Sequence, residues 1–289
     1  MIEKKHCRLV KAALLVCAIA WLVGCISMPA RSSNVVKRMF VLNCGEARVS
    51  DISKWSPGVN IGKPMTFSNN CYLIQHGKDW MLWDAGVPDD WILMPGGVVG
   101  SPGVRGVVTQ RLTSQLDEIG VKPDNVAIIA FSHAHFDHVG NARLFPHAKW
   151  YVQKAEYEAM FGTEYEKFRF APTLYAMMRN NPVMMLQGDY DVFGDNSVRI
   201  LSTPGHTPGH QSLLVRLPKT GSVILSGDVA HFEENFVNRR VPTFNADATQ
   251  TRQSMDKVGA ILKGEGARLW INHDAAQSAT LPHAPRSVE

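Results

Sequence analysis

The chain has 289 residues, of which 45% are hydrophobic and 19% are charged, a composition typical of globular proteins. This length suffices for one large domain or two small ones with a substantial core, and five cysteines are too few for a disulfide-stapled scaffold. The formal net charge is +4, but residues 1–24 carry a net +3, which leaves +1 on the remainder. A chain so close to neutral gives no electrostatic support for nucleic-acid binding.

The amino terminus predicts an exported, lipid-anchored protein. A basic segment, a run of 12 apolar residues at 12–23 and a small, polar stretch follow one another, which is the order of a secretory signal peptide. The run is short for a membrane-spanning helix, although a retained membrane anchor remains the alternative. The sequence LVGC at 22–25 resembles a bacterial lipobox, in which cleavage precedes a lipidated cysteine. We therefore expect a lipoprotein-type signal peptide at 1–24, acylation of Cys25 and a polar tether at 25–36.

Such an anchor predicts a location on the periplasmic side of a bacterial membrane. In a Gram-negative host the outer membrane is favoured, because Ile26 rather than Asp follows the cysteine. The mature chain then keeps only Cys44 and Cys71, and an oxidising compartment permits a disulfide between them. Each lies in an apolar, strand-like run, FVLNCG or NNCYLI. Buried free thiols are therefore the favoured interpretation, and a disulfide is the alternative.

From residue 37 to 289 the sequence predicts one domain, because it has no linker, low-complexity tract or charge run. Short apolar or alternating stretches predict strands at 38–43, 70–76, 79–84, 126–131, 149–153, 197–202, 211–217, 222–227 and 268–272. Helical spacing of apolar residues predicts helices at 108–119, 153–161, 164–180 and 247–263. Strands interleaved with helices indicate an α/β layered fold. The glycine-rich stretch 85–107 is predicted to be one long loop, functional or mobile.

The strongest chemical signal is HAHFDH at 133–138, directly after the apolar strand VAIIAFS. Three imidazoles and a carboxylate within six residues are costly to bury unless they have a common partner. Neutral imidazoles and a carboxylate are ligands of divalent cations such as zinc. His133 and His135 can point the same way from an extended segment. We therefore predict a metal site here rather than a hydrogen-bonded structural cluster.

Further ligands are needed, because adjacent residues cannot surround two ions. Three candidates each follow a predicted strand: His206 in STPGHTPGH, Asp228 in SVILSGD and His273 in RLWINH. A loop histidine is ordinarily solvated and SGD alone could be a turn. Together these residues repeat one pattern, a metal-competent side chain where an apolar strand stops.

With these motifs the chain resembles the metallo-β-lactamase-fold hydrolases, and within them it is most similar to the N-acyl-homoserine lactonase family. The resemblance covers residues 37–289 and includes QKAEYEAMFG at 153–162. It implies an αββα sandwich, with two mixed sheets back to back and helices outside. It also implies two zinc ions per chain, or other divalent metals. His133, His135 and His206 would hold one ion, Asp137, His138 and His273 the other, and Asp228 would bridge them.

The resemblance implies hydrolysis of a lactone, most directly N-acyl homoserine lactones, by a hydroxide that bridges the two ions. Asp137 would relay a proton to the departing ring oxygen. Phe136 matches a position that lines the acyl-chain side of the site, with plain packing as the alternative. Many of these lactonases place a tyrosine three residues after the bridging Asp, where this chain has His231. An imidazole N–H there could donate the same hydrogen bond to the substrate carbonyl, and a solvated or supporting histidine is the alternative.

The other histidines have less specific interpretations. His210 is expected to brace its loop rather than to bind metal. His76, His147 and His283 are expected at the surface.

Two competing functions remain open at this point. One is another ester or thioester hydrolase of the same fold, although no Lys or Arg cluster near the ligands suggests an anionic thioester substrate. The other is a periplasmic metal-binding protein without turnover, against which a bridged pair of ions is a catalytic arrangement. The expected partners are a small lactone and, through the lipid anchor, a membrane.

Overall fold

The computed structural model describes residues 35–289, so the predicted signal peptide, Cys25 and most of the tether lie outside the described residues. Between residues 35 and 289 the apolar runs form fourteen strands. They are β1 Val36–Val49, β2 Met65–His76, β3 Asp79–Trp83, β4 Val98–Ser101, β5 Val104–Val107, β6 Val126–Ala130, β7 Lys149–Gln153, β8 Val183–Leu186, β9 Tyr190–Asp191, β10 Val198–Ser202, β11 Gln211–Leu217, β12 Gly221–Leu225, β13 Arg268–Trp270 and β14 Ser287–Val288.

In this described part of the chain, seven α-helices accompany the strands. They are α1 Leu112–Ile119, α2 Phe136–Val139, α3 Lys154–Phe161, α4 Pro172–Tyr175, α5 Glu233–Val237, α6 Ala248–Glu265 and α7 Ala275–Ser278. The longest, α6, begins where the Asp247 side chain accepts a hydrogen bond from the Gln250 N–H, and it ends at Gly266 in the left-handed conformation. Within residues 35–289 no helix is both long and apolar enough to cross a membrane.

The strands form two mixed sheets. The first has the order β4-β5-β1-β2-β3-β6-β7-β8, with β14 added on β1, and the second has the order β13-β12-β11-β10-β9. In the first sheet β3, β6, β7 and β8 run parallel, whereas β1 pairs antiparallel with β2 and β5. In the second sheet only β12 and β13 are parallel.

Neighbouring residues on the central strands face two different apolar layers. On β2, Ile74 packs between the two sheets and Leu73 packs in the layer that includes α1. On β11, Leu213 packs between the sheets and Leu214 packs in the layer that includes α6. Because strand side chains alternate, both faces of each sheet are buried, at about 1.5–3 kcal/mol for each large apolar side chain. The predicted αββα sandwich is confirmed.

Two predicted segments differ from the structure. The stretch 164–180 is not one helix, because Arg169 is left-handed at φ 59° and Pro172 lacks the N–H that a continuing helix needs. The stretch 85–107 is not one loop, because it contains a 3₁₀ turn at Asp89–Leu93 and the β4–β5 hairpin, which joins the first sheet through β1. The glycine content of this stretch, which is typical of loops, is why the sequence did not predict these short strands. At Gly100 a side chain would overlap the Phe136 ring, so the hairpin packs directly on that residue.

The favoured interpretation of the two cysteines is also wrong, because Cys44 and Cys71 form a disulfide. The bond joins β1 to β2, and the irregular register between Asn43 and Glu46 brings Cys44 beside its partner. Both residues are buried. An apolar setting therefore could not distinguish two free thiols from a buried disulfide.

One of the three histidines expected at the surface is buried instead. The ring of His76 stacks on Phe193 with centroids 3.8 Å apart, and its Nε2 lies 2.8 Å from Asp195 Oδ2. His147 is exposed as expected, and His283 is half-buried.

Candidate metal centre

The predicted metal-binding residues meet at the ends of strands from both sheets. His133 and His135 follow β6 of the first sheet, and Asp137 and His138 open the helix α2. The second sheet contributes the residues after β10, β12 and β13, which are His206, Asp228 and His273. Three groups of side chains have ligand atoms within 4.8 Å of one another, and two of them match the predicted ligand sets. These two ligand groups are His133, His135, His206 and Asp228, and Asp137, His138 and His273, while the third joins His231 to Asp228 and His273.

In the first group three imidazole nitrogens converge. His135 Nδ1 lies 2.7 Å from His133 Nε2 and 3.1 Å from His206 Nε2. Burial lowers the pKa of His133 and of His135 well below the ordinary value, and the neighbouring imidazoles lower both further. Both rings are therefore neutral, which is the form that binds metal.

The Asp228 carboxylate lies between the two groups, with one oxygen toward each. Its Oδ2 is 3.2 Å from His206 Nε2, whereas its Oδ1 is 3.4 Å from His138 Nε2 and 3.1 Å from His273 Nε2. Burial alone would raise the pKa of Asp228, but the surrounding imidazoles hold it well below the ordinary value. The group is therefore an ionised carboxylate whose two oxygens face two different sets of ligands.

Each imidazole of the two groups turns its other nitrogen toward a protein oxygen. Such contacts fix the tautomer and the orientation of a ring that binds metal. The pairs are His133 Nδ1 with Ser132 Oγ at 3.1 Å, His135 Nε2 with Phe168 O at 2.9 Å, His138 Nδ1 with Asp84 Oδ2 at 3.0 Å, His206 Nδ1 with Asn245 Oδ1 at 2.9 Å and His273 Nδ1 with Ser68 O at 2.8 Å. The sequence predicted no such role for the five partners: Ser132 directly precedes HAHFDH, and the other four are scattered along the chain outside any motif.

The residues fit a pair of divalent ions. Two buried atoms that point into the cluster, His138 Nε2 and Asp228 Oδ1, have no hydrogen-bond partner within the described part of the chain. Unpaired buried polar atoms are costly unless another group satisfies them. Five neutral-capable imidazoles and two carboxylates are a donor set for metals of the zinc type.

Comparison with known proteins agrees with this geometry. The sequence model of the metallo-beta-lactamase superfamily matches residues 65–261. The N-acyl homoserine lactonase AiiA of Bacillus thuringiensis subsp. kurstaki is 30% identical over 260 residues, which cover 88% of this chain and 99% of that protein. The chain belongs to the metallo-β-lactamase superfamily and, within it, to the N-acyl homoserine lactonase family. The predicted resemblance is thereby confirmed.

Other relatives give the same result. The N-acyl homoserine lactonase AttM of Azorhizobium caulinodans is 30% identical over 264 residues, which cover 86% of this chain and 97% of that protein. Among solved structures, an N-acyl homoserine lactone hydrolase with the product N-hexanoyl-L-homoserine at its catalytic metal centre superposes with a TM-score of 0.77. It is 28% identical, and the match covers 88% of this chain and all of that one.

Glu156 of α3 connects the two loops that carry the first ligand group of this lactonase-family site. Its Oε1 accepts the Ala134 N–H at 2.9 Å, and its Oε2 accepts the Thr207 hydroxyl and the Gly209 N–H, both at 2.8 Å. Burial raises the pKa of Glu156 to about 7, although all three hydrogen bonds lower it. Ala134 lies between His133 and His135, and Thr207 follows His206. The side chain therefore fixes one ligand loop against the other.

His210 braces the loop that leads to Asp228, as predicted. Its Nε2 accepts the backbone N–H of Asp228 at 2.7 Å, and its Nδ1 lies 2.9 Å from the carbonyl oxygen of Thr203. Burial lowers the pKa of His210 to about 3, so the ring is neutral and can accept that hydrogen bond.

A pocket opens onto the metal cluster. Phe136 lines the pocket, and its ring also stacks on Trp91 with centroids 5.6 Å apart. This residue therefore has both of the roles that the sequence offered as alternatives. The rest of its apolar wall comes from segments that carried no signal in the sequence. Those residues are Ala47, Trp55, Phe67, Val104 and Phe244.

His231 lies at the edge of the cluster, against the Asp228 carboxylate. Its Nε2 is 3.0 Å from Asp228 Oδ2, and the ring also faces His273 and lines the pocket. Burial lowers the pKa of His231 to about 4, which keeps the ring neutral. Its Nδ1 is buried and has no partner in the described chain. In this respect it differs from the five imidazoles of the two ligand groups.

Proposed function

We propose that the protein hydrolyses the ester bond of lactone rings, with N-acyl homoserine lactones as its substrates, and so acts in quorum quenching. The proposal rests on the position of the Asp228 carboxylate. Its two oxygens face two ligand groups, and the side chain lines an apolar pocket. Two relatives, both N-acyl homoserine lactonases, also support the proposal, because this chain matches nearly the whole length of each.

In this proposal the metals are two zinc ions. His133, His135 and His206 would hold one ion, Asp137, His138 and His273 would hold the other, and Asp228 would serve both. Bound zinc would supply an activated water nucleophile at neutral pH and would polarise the ester carbonyl. The imidazole-rich donor set supports this choice of metal.

Two side chains act on the substrate itself. Asp137 lines the pocket, and its carboxylate takes the proton of the attacking water and passes it to the ring oxygen as the ester bond breaks. In this proposal the His231 Nε2–H, which lies 3.0 Å from Asp228 Oδ2, also donates a hydrogen bond to the substrate carbonyl oxygen. If Nε2 bound a metal instead, the ring proton would be on Nδ1, and the absence of an acceptor for that atom among the described residues supports the donor role. Phe136 and the apolar wall receive the acyl chain.

Ring opening releases a proton, so a pH-indicator assay with N-acyl homoserine lactones tests the function directly. We expect turnover that a chelator abolishes and zinc restores. The same protein should contain close to two equivalents of metal by elemental analysis. Efficient turnover of thioesters with inert lactones would overturn the lactonase assignment. Two bound metals without turnover of any ester would identify a metal-binding protein instead.

We also propose that residues 1–24 direct export and that Cys25 carries lipid, with 25–36 as a tether on the periplasmic side of the membrane. The order of basic, apolar and LVGC segments supports this, and so does the buried Cys44–Cys71 disulfide, since such bonds persist in oxidising compartments. Labelling with a radioactive fatty acid tests it. Wild type should incorporate label and Cys25→Ser should not, whereas equal labelling of both would contradict the assignment.

A further inference from the structure

Arg169 is the one Lys or Arg side chain that lines the pocket over the metal cluster, within the described residues. It ends the 3₁₀ turn Tyr165–Phe168 in the left-handed conformation. The preceding residue, Phe168, supplies the carbonyl oxygen that orients His135. Arg169 therefore lies in the same loop that orients His135.

The guanidinium of Arg169 has no acidic partner in the described chain. Its charge lies over the Phe244 ring, 4.3 Å from the centroid. Two other half-buried arginines have acidic partners, Arg216 with Glu265 at 2.7 Å and Arg199 with Asp189 at 3.8 Å, whereas the half-buried Arg38 bonds the Gln75 amide. Burial lowers the pKa of Arg169, with no carboxylate opposing that shift, although an arginine stays protonated at any physiological pH.

A guanidinium offers five N–H donors and accepts no hydrogen bond. Over an aromatic ring it gains a cation–π contact, but its outward N–H groups remain available to a bound molecule. The neighbouring lining residues Phe136, Val104 and Phe244 have no side-chain donor, so a polar atom that a substrate buries beside them would otherwise be unpaired.

We infer that Arg169 forms a subsite for an acceptor oxygen outside the lactone ring, namely the amide carbonyl of an N-acyl side chain. The inference rests on the proposed function and refines it, because it selects acyl-amide lactones over alkyl lactones of the same length. Arg169 is a substrate-binding residue in this role, and it takes no part in breaking the ester bond.

The test compares two substrates on two variants. N-Hexanoyl homoserine lactone carries the amide, and γ-decalactone carries an alkyl chain without it. We expect Arg169→Met to lose about 10- to 100-fold in kcat/KM on the amide substrate, chiefly through KM, because it removes a hydrogen bond to a charged donor. On γ-decalactone the loss should stay below about 3-fold, and metal content should remain that of wild type.

Arg179→Met is the matched control. Its guanidinium also lies over an aromatic ring, Phe161, at 4.2 Å from the centroid, but it does not line the pocket. That variant should match wild type on both lactones. Equal losses of Arg169→Met on both lactones, or no loss on the amide, would overturn the subsite while the lactonase function stands. A wild-type enzyme that opens γ-decalactone but not the amide lactone would also overturn it. Wild type inert on both lactones would overturn the proposed function itself.

Discussion

The metal cluster and the wall of the pocket are built in opposite ways. Most residues of the metal cluster lie just after the ends of β6, β10, β12 and β13. In every imidazole of the two ligand groups, the nitrogen that points away from the cluster contacts a protein oxygen. The wall is less uniform, because Ala47 and Phe67 lie on the long strands β1 and β2, whereas Trp55, Val104, Arg169 and Phe244 lie on short elements and loops. Most groups that perform chemistry thus follow strand ends, whereas many groups that meet the acyl chain lie on segments that can vary.

This difference has a kinetic consequence. Changes in the cluster should remove metal or transition-state stabilisation, and so lower kcat. Changes in the wall should remove binding that substrate and transition state share, and so raise KM. The following variants test this distinction between the cluster and the wall, and they are given in decreasing order of expected effect.

Asp228→Ala should have the largest effect. It removes the carboxylate that faces both ligand groups, and it leaves neighbouring imidazoles to repel one another when protonated. We expect loss of at least one metal equivalent and a fall in kcat/KM of at least about 1,000-fold. Elemental analysis and the pH-indicator assay measure both. The exposed Asp256→Ala is the control, and two retained metals in Asp228→Ala would refute the bridging role.

Glu156→Gln should weaken the cluster without touching a ligand. The new amide group must face the N–H of Ala134 or the donors of Thr207 and Gly209, so at least one buried donor loses its acceptor. We expect a loss of about 1–3 kcal/mol in the free energy of unfolding and about 10- to 100-fold in metal affinity.

Urea unfolding and chelator competition measure these two quantities for Glu156→Gln. Glu158→Gln, an exposed position on the same helix, is the matched control. Unchanged metal affinity in Glu156→Gln would show that the two ligand loops hold their positions without this carboxylate.

His231→Ala removes a side chain that contacts the cluster and also lines the pocket. Loss of one hydrogen bond to the substrate carbonyl lowers kcat/KM by about 5- to 150-fold, and both metals should remain. His231→Tyr should retain part of the activity, because a phenol can donate a similar bond. Loss of a metal equivalent in His231→Ala would make His231 a ligand, and activity equal to wild type on every lactone would make it a bystander.

The sequence predicted the cluster far better than the wall, for a physical reason. A metal ligand at a strand end leaves a local signal, since an apolar run stops at a His or Asp, as at Asp228 and His273. An aromatic residue that lines a pocket has the same composition as one that packs in a core, and Trp55, Phe67 and Phe244 are brought together only by the fold. The β4–β5 hairpin was not predicted because two of its glycines, Gly100 and Gly106, are required by contact with Phe136, which no local pattern records.

The smallest expected effect on kcat/KM comes from the disulfide, which belongs to neither region. Cys44 and Cys71 are buried between β1 and β2, and neither lines the pocket. Cys44→Ala/Cys71→Ala should therefore keep kcat/KM within about 2-fold of wild type. Its stability should change more, because the bond closes a segment with a sequence separation of 27 residues. A loop of that size corresponds to about 3–4 kcal/mol in the free energy of unfolding.

Urea unfolding with and without reductant separates the bond from the packing of the two side chains. Wild type should lose stability when reductant is present throughout the unfolding titration, and Cys44→Ala/Cys71→Ala should be insensitive to it. If wild type is equally insensitive, the two residues are thiols in solution. If the double variant instead loses activity at full metal content, β2 transmits strain to the ligand loops. That route is physically available, because Asn69 of β2 donates a hydrogen bond to the carbonyl oxygen of Asp137. Retained activity would show that the strand ends hold the metal cluster independently of this bond.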